Sequence, residues 1–295
     1  MISKLFRLAR RTLAAACALI ALAAAAPAAA EPALWVLNDE DSTIYLFGTV
    51  HVLRPGAQWR SAKIDRALGE SSELVLEVVG MDDPQALAPL LKAYGVDPGA
   101  SLSAKLDDDD RRKLAAAAQT VGLPPAALEP MRPWLAALTL TMAPIVKAGY
   151  DPQSGVELVL TAEAKKAGRQ ITALETAEQQ IRFFADMPEE TQKAFLSATL
   201  DDVEDGAAQL DRMVEAWRSG DLAALEAAFV EETRRDYPAL YQVAVIERNR
   251  AWADQLKAKL AGSGVSFVAV GAGHLVGPDS VQAELAKRGL KVERR

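Results

Sequence analysis

The sequence predicts a mixed α/β (α+β) fold, a central sheet built from N- and C-terminal strands with a large helical insertion over about 84–260. Three observations point there. Short apolar runs with strand-like patterning gather in residues 33–79 and again in 265–294. Between them the pattern turns helical, with a single strand-like run inside it. No fixed-period repeat and no disordered linker divides the chain, so residues 31–295 read as one domain.

The first thirty residues stand apart. A basic opening (Lys4, Arg7, Arg10, Arg11) leads into an Ala/Leu run that ends in Ala28-Ala29-Ala30, small residues that suit signal-peptidase cleavage. Residues 1–30 therefore read as a secretory signal peptide, and the expected location is the bacterial periplasm. The run is too Ala-rich and short for a stop-transfer helix, so no stable membrane span is expected after cleavage. The single cysteine, Cys17, lies within this leader, with Ala14 where a lipoprotein signal wants Leu. The remaining chain has neither disulfide nor thiol nucleophile. Its net charge is −11, from 29 basic and 40 acidic residues, which argues against nucleic acid as a partner.

Next comes "ALWVLNDEDSTIYLFGTVH", two apolar runs around a polar cluster of the kind that closes a hairpin. A short helix near 61–70 precedes "ELVLEVV" (73–79), a buried strand broken by one acid. Helices follow to about 148. One begins at the acids of "DDDDRRKLAAAAQTVGL", which favour a helix N-terminus, and "PWLAALTLTMAPIVKAG" carries an expected bend or break at Pro144. The helix in "SGVELVLTAEAKKAG" stops at Gly168, and "QITALE" (170–175) reads as a strand. Helical segments then run from 177 to about 260 with breaks near Pro188, Gly220 and Pro238. The end returns to strand 265–271, helix 278–288 and strand 290–294.

The chain has two histidines, His51 and His274, 223 residues apart. Both follow a hydrophobic strand as Gly-x-x-His, in "YLFGTVH" from Gly48 and in "FVAVGAGH" from Gly271. A glycine just past a strand permits a sharp turn and leaves the adjacent space free of a Cβ. The imidazole three residues on can then project across the carboxyl edge of the sheet, where open α/β folds bind ligands. If the two strands are neighbours, the histidines meet. Glu77 is the natural third member, because a carboxylate among apolar neighbours is costly unless paired or metal-bound. Strand alternation places it with Val75 and Val79. Two histidines and a carboxylate suit Zn, Mn or Co and leave positions open for water and substrate.

"VAVGAGHLVGPDS" also reads as Gly271-x-Gly273-x-x-x-Gly277 between a strand and a helix, the layout of a dinucleotide turn. The sequence ends soon afterwards at Arg295 with no second half of such a sheet downstream. Secreted proteins rarely meet soluble dinucleotides, and the fingerprint leaves Gly48-x-x-His51 unexplained. No P-loop, HExxH or G-x-S-x-G elbow is present.

These residues, with "LFGTVHVL", "LVLEVV", "GVELVLTAEAKKAGRQITALETAEQQIRFF", "ERNRAWADQL" and "VAVGAGHLVG", make the chain resemble the TraB/GumN family, related to the TIKI secreted metalloproteases. The resemblance implies a divalent-metal site around His51 and His274 with Glu77, and peptidase activity in the TIKI branch. It brings in Glu157, Glu175, Arg248 and Asn249 as matches to family positions. Arg248 could then neutralise a developing oxyanion or orient a carboxylate. Glu77 stands as metal ligand or as general base.

The resulting expectation is a periplasmic metal-dependent hydrolase, a peptidase by resemblance, acting on a peptide or cell-envelope polymer. The alternative is a non-catalytic protein that holds a peptide or saccharide in the same cleft.

Overall fold

The computed structural model describes residues 31–80, 83–203 and 205–295; the leader expected over 1–30 lies outside the described residues. Strands β1 (Leu34–Asn38) and β2 (Ser42–Thr49) form the expected hairpin, with Leu37 opposite Ile44. The Asp39 carboxylate closes its turn by accepting the Asp41 and Ser42 N–H groups at 3.2 and 2.9 Å. Helix α1 (Ala62–Glu70) starts where the Ser61 hydroxyl accepts the Ile64 N–H, and β3 (Glu73–Val78) follows.

β4 (Gln170–Glu175), β5 (Gly264–Gly271) and a two-residue β6 (Glu293–Arg294) complete one sheet in the order β4-β3-β5-β2-β1-β6. The four strands β4, β3, β5 and β2 are mutually parallel, and β1 and β6 close one side antiparallel. The run treated as a helical insertion thus contributes an edge strand from its middle. The C-terminal strand is shorter than the sequence suggests, because only Glu293 and Arg294 find partners on β1.

Alternation along each strand feeds two cores. Phe47, Leu74, Leu76, Phe267 and Ala269 face α1 and helix α5 (Val156–Lys166). Leu46, Val75, Val268 and Val270 face α12 (Arg248–Leu260) and α13 (Val281–Lys287), the latter preceded by a 3-10 turn over Ala272–Leu275. Val75 takes the buried side as expected, whereas Val79 lies beyond the strand end and is 47 % exposed.

The remaining helices of the insertion include α2 (Pro84–Gly95), α3 (Asp108–Val121), α4 (Pro133–Lys147), α6 (Ala177–Ala185), α7 (Glu189–Asp202) and α8 (Gly206–Ser219). Helices α3, α4 and α7 bury a separate core with Leu114, Leu140 and Leu196, and α2 and α6 pack on α4 around Trp134 and Ile181. Helix α4 runs through Pro144 without a break, held on both sides of the proline by buried Leu140 and Ile145. Its packing therefore outweighs the missing hydrogen bond. After α9 (Leu222–Glu226) the chain is π-helical over Ala227–Glu231. It continues through α10 (Glu232–Asp236) and α11 (Pro238–Tyr241), and is π-helical again over Gln242–Glu247, directly before α12. Such widened turns recur at functional sites.

Candidate functional site

The two Gly-x-x-His motifs leave adjacent parallel strands at nearly the same level, for Gly48 pairs with Val270 and Thr49 with Gly271. Both chains turn off the carboxyl edge of the sheet there. A Cβ on Gly48 would meet Ala272 Cα at 3.1 Å, so the first glycine is demanded by close backbone approach. β3 lies on the other side of β5, and Glu77 Oε1 accepts the Gly271 N–H at 2.6 Å. The missing side chain of Gly271 marks the point of convergence. A Cβ there would lie 3.1 Å from Glu77 Oε1, 3.7 Å from His51 Nε2 and 3.7 Å from His274 Cδ2.

Each imidazole is fixed from behind through Nδ1. Asn249, wholly buried, donates from its amide nitrogen to the Asp279 carbonyl at 2.7 Å. That turns its Oδ1 toward His274 Nδ1, 2.6 Å away, so Nδ1 carries the proton and Nε2 keeps its lone pair. The Trp252 ring packs on His274 with centroids 4.5 Å apart. His51 stands at the open rim, with Nδ1 2.7 Å from Glu157 Oε1 in the first turn of α5. The Thr49 hydroxyl donates to the same carboxylate. Gly155, at the start of that helix, permits the approach, since a Cβ there would come within 2.2 Å of the His51 carbonyl oxygen.

Arg248 ties the remaining groups together. Its Nη2 donates to Glu77 at 2.7 Å and to Glu175 at 3.0 Å, and its Nε donates to Glu175 at 2.9 Å. Nη1 donates to the Ala244 carbonyl at 3.2 Å and lies 3.1 Å from His274 Nε2. All five N–H directions of the guanidinium are taken, which suits a clamp on Glu77. Trp252 Nε1 donates to Glu175 at 2.8 Å, and Gln180 donates to Glu77 Oε2 at 3.2 Å. Gln180 arrives there because a capping box of Thr176 and Gln179 starts α6 immediately after β4.

Burial works to raise the Glu77 carboxyl, but its interactions with His274, Arg248 and His51, with the Gly271 N–H, outweigh it and hold it at about 2. Burial pushes His274 down to about 3, past the pull of Glu77. At neutral pH this pair is carboxylate and neutral imidazole, with Arg248 as the fixed cation beside both. Burial raises Glu175 despite Arg248. The Glu157 charge holds His51 up to about 9, and burial of Glu157 is in turn outweighed by its bonds to His51 and Thr49.

These residues fit a divalent ion in donor type. His274 offers a neutral Nε2, both Nδ1 atoms are held by oxygen, and Glu77 is ionised, the arrangement usual behind metal-bound imidazoles. Uptake would exchange the proton on His51 and the Arg248 contact on His274 for the ion. As placed, no three His, Cys, Asp or Glu side chains among the described residues are spaced to grip one ion, and Arg248 bridges two of the three expected ligands instead.

Every residue singled out in the sequence lies in this one cluster: His51, His274, Glu77, Glu157, Glu175, Arg248, Asn249 and the two glycines. Sequence reading passed over Thr49, Gly155, Gln180 and Trp252. Trp252 had a signal, for it stands four residues after Arg248 on the same helix face.

The model of the TraB/PrgY/gumN family matches residues 33–294. The chain is similar to an Escherichia coli (strain K12) protein described as "Uncharacterized protein YbaP", 26 % identical over 248 residues, covering 83 % of this chain and 89 % of that one. It is also similar to an "Uncharacterized protein" of Treponema pallidum (strain Nichols), 24 % identical over 274 residues, covering 88 % and 82 % respectively. No solved structure matches the chain.

Proposed function

This chain belongs to the TraB/PrgY/gumN family, and on that premise we propose that it is a metal-dependent hydrolase of the bacterial periplasm, a peptidase acting on a peptide or cell-envelope polymer. One observation carries the reading. Two histidines remote in sequence are brought to a single Cβ-free point beside Glu77, each with its Nδ1 already committed to an oxygen.

His51, His274 and Glu77 would hold the ion, a Zn, Mn or Co class cation, which when bound supplies an acidified water and a Lewis acid for a scissile carbonyl. The other residues act on those three. Glu157 aligns His51 and takes up its Nδ1 proton charge. Asn249 fixes the His274 tautomer. Arg248, anchored on Glu175, holds Glu77 in its ionised form and in place. This makes Arg248 and Asn249 positioning groups. Glu77 Oε1, held by the Gly271 N–H, remains the group that can ligate or accept a proton.

The location rests on the leader pattern of residues 1–30 and on the absence of cysteine beyond it. Among the described residues no helix is long and apolar enough to cross a membrane.

The decisive measurement is the metal content of purified wild type and of a His51→Ala/His274→Ala double variant after loading with zinc or manganese. A stoichiometric ion in wild type that the variant lacks is expected; equal, low content in both overturns the metal site. A peptide-library digest with and without chelator then tests catalysis. Metal uptake with no metal-dependent cleavage would transfer the site to a peptide- or saccharide-binding protein.

A further inference from the structure

Beside the centre lies a cavity of about 450 Å³ that none of the site residues fills. Its walls come from α6 and the segment after it, Phe183, Met187 and Pro188, and from the facing Ala239 and Val243. That volume is in the range of ligand pockets. Its polar lining is Gln179, Arg182, Asp186, Thr191 and Glu247. Arg182 and Asp186 already pair with each other at 3.0 Å, and Glu247 accepts from Gln242 at 3.2 Å. Apolar surface predominates between them, with Gln179 and Thr191 as the other polar groups.

The cavity is joined to the centre through two elements. On α6, Gln180 donates to Glu77, and Phe183 follows it by three residues, roughly one helical turn away. The Phe183 ring has the Arg248 guanidinium 5.3 Å from its centroid, so it stands between the cavity and the clamp. On the second element, the π-helical stretch Gln242–Glu247 supplies Val243 and Glu247, and Arg248 is the next residue. Two lining residues, Gln179 and Glu247, are the chain neighbours of Gln180 and Arg248, which both donate to Glu77.

We propose that this cavity is a substrate subsite that takes a large apolar side chain, aromatic by preference, from a peptide lying across the centre. The proposal rests on the hydrolase reading and narrows its substrate to peptides carrying such a residue near the reacting bond. A mostly apolar wall rewards burial of hydrocarbon; a sugar ring would find partners there for only a few of its hydroxyls. Burying a Phe-sized side chain there gives a preference of about tenfold or more over alanine.

The test reads binding separately from cleavage. Capped tripeptides, acetyl-Ala-Phe-Ala-amide and acetyl-Ala-Ala-Ala-amide, and cellotetraose as a sugar probe are titrated against the full protein by calorimetry. Two variants close the cavity from opposite walls, Ala239→Trp and Thr191→Trp, each checked by thermal melt and zinc content. Wild type is expected to favour the Phe peptide at least tenfold, and both folded variants are expected to lose that preference while keeping wild-type zinc uptake. Equal affinity for the two peptides overturns the proposal, as does a preference that survives both variants. Cellotetraose binding that the variants abolish, without peptide preference, overturns it in favour of a saccharide site. If the preference is found but no chelator-sensitive cleavage of the Phe peptide accompanies it, the subsite stands and the hydrolase reading falls.

Discussion

Replacing Gly271 by alanine separates the site from the fold. The backbone of Gly271, φ −51° and ψ 136°, accepts any residue, so the change carries no conformational strain and restricts the unfolded chain by about 0.4–1 kcal/mol. The new methyl would sit 3.1 Å from Glu77 Oε1, which must yield by a few tenths of an ångström, and 3.7 Å from His51 Nε2 and His274 Cδ2. Overpacking of that kind costs about 1–3 kcal/mol, leaving a net loss of roughly 0–2.6 kcal/mol. For a chain of this size that lowers Tm by no more than about 10 °C. The same methyl occupies the point where Glu77 Oε1, His51 Nε2 and the edge of the His274 ring meet, so zinc affinity should fall at least about tenfold. Gly48→Ala is the control. Its Cβ would press on Ala272 Cα at 3.1 Å and Ala272 Cβ at 3.3 Å, backbone and fixed atoms that cannot swing aside. It should cost stability and leave the zinc affinity of the folded protein close to wild type. Chelator-competition titration with zinc, beside melts with and without the metal, reads both quantities. Wild-type zinc affinity in a folded Gly271→Ala protein would refute the convergence of His51, His274 and Glu77 on one ligand point.

Further expectations concern charge. In metal-free protein His51 titrates near 9 because of the Glu157 charge, so its pairing stabilises fully below the unfolded value of 6.5 and is lost as pH rises through about 9. Glu157→Gln should return that imidazole toward 6.5 in an NMR titration, where the chain shows only two histidine rings; an unmoved value would break the assigned pair. Arg248→Met leaves Glu77 and Glu175 buried without their cation and should cost about 3–5 kcal/mol in urea unfolding of the metal-free protein. A loss under about 1 kcal/mol would show that Arg248 is not the clamp described. At the opposite end of the sheet, burial works to raise Glu73, but bonds from Lys259, Thr172 and Ser266 hold it below 4.5. Its contribution is present above that value and lost as pH falls through the lower folded one. Glu73→Gln should flatten the acid limb of stability while zinc uptake stays unchanged, and an unaltered acid limb would deny the linkage.

Much of this protein was legible in one dimension because the relevant signals are local. Short apolar runs mark β1 to β3, and the polar "NDEDS" marks the hairpin turn that Asp39 closes. The two Gly-x-x-His motifs announce themselves because a strand followed by glycine has few ways to proceed. A lone acid in "LVLEVV" is conspicuous because burying it alone is costly. Pairing is another matter, since it depends on strand order. Nothing in the sequence says that β5 inserts between β2 and β3, yet that order alone sets His51, His274 and Glu77 around Gly271. β4, taken from the middle of a helical stretch, brings Glu175 to the same edge. The continuity of α4 through Pro144 and the shortening of β6 also came from packing against distant partners. So did the commitment of every Arg248 N–H: the family resemblance made it a candidate for meeting substrate, and only its neighbours in space, Glu77, Glu175, Ala244 and His274, turned it into a clamp. The sequence determined which groups could do chemistry and where the chain would turn. The tertiary structure decided which of them meet, because burial energy is shared among faces that lie far apart along the chain.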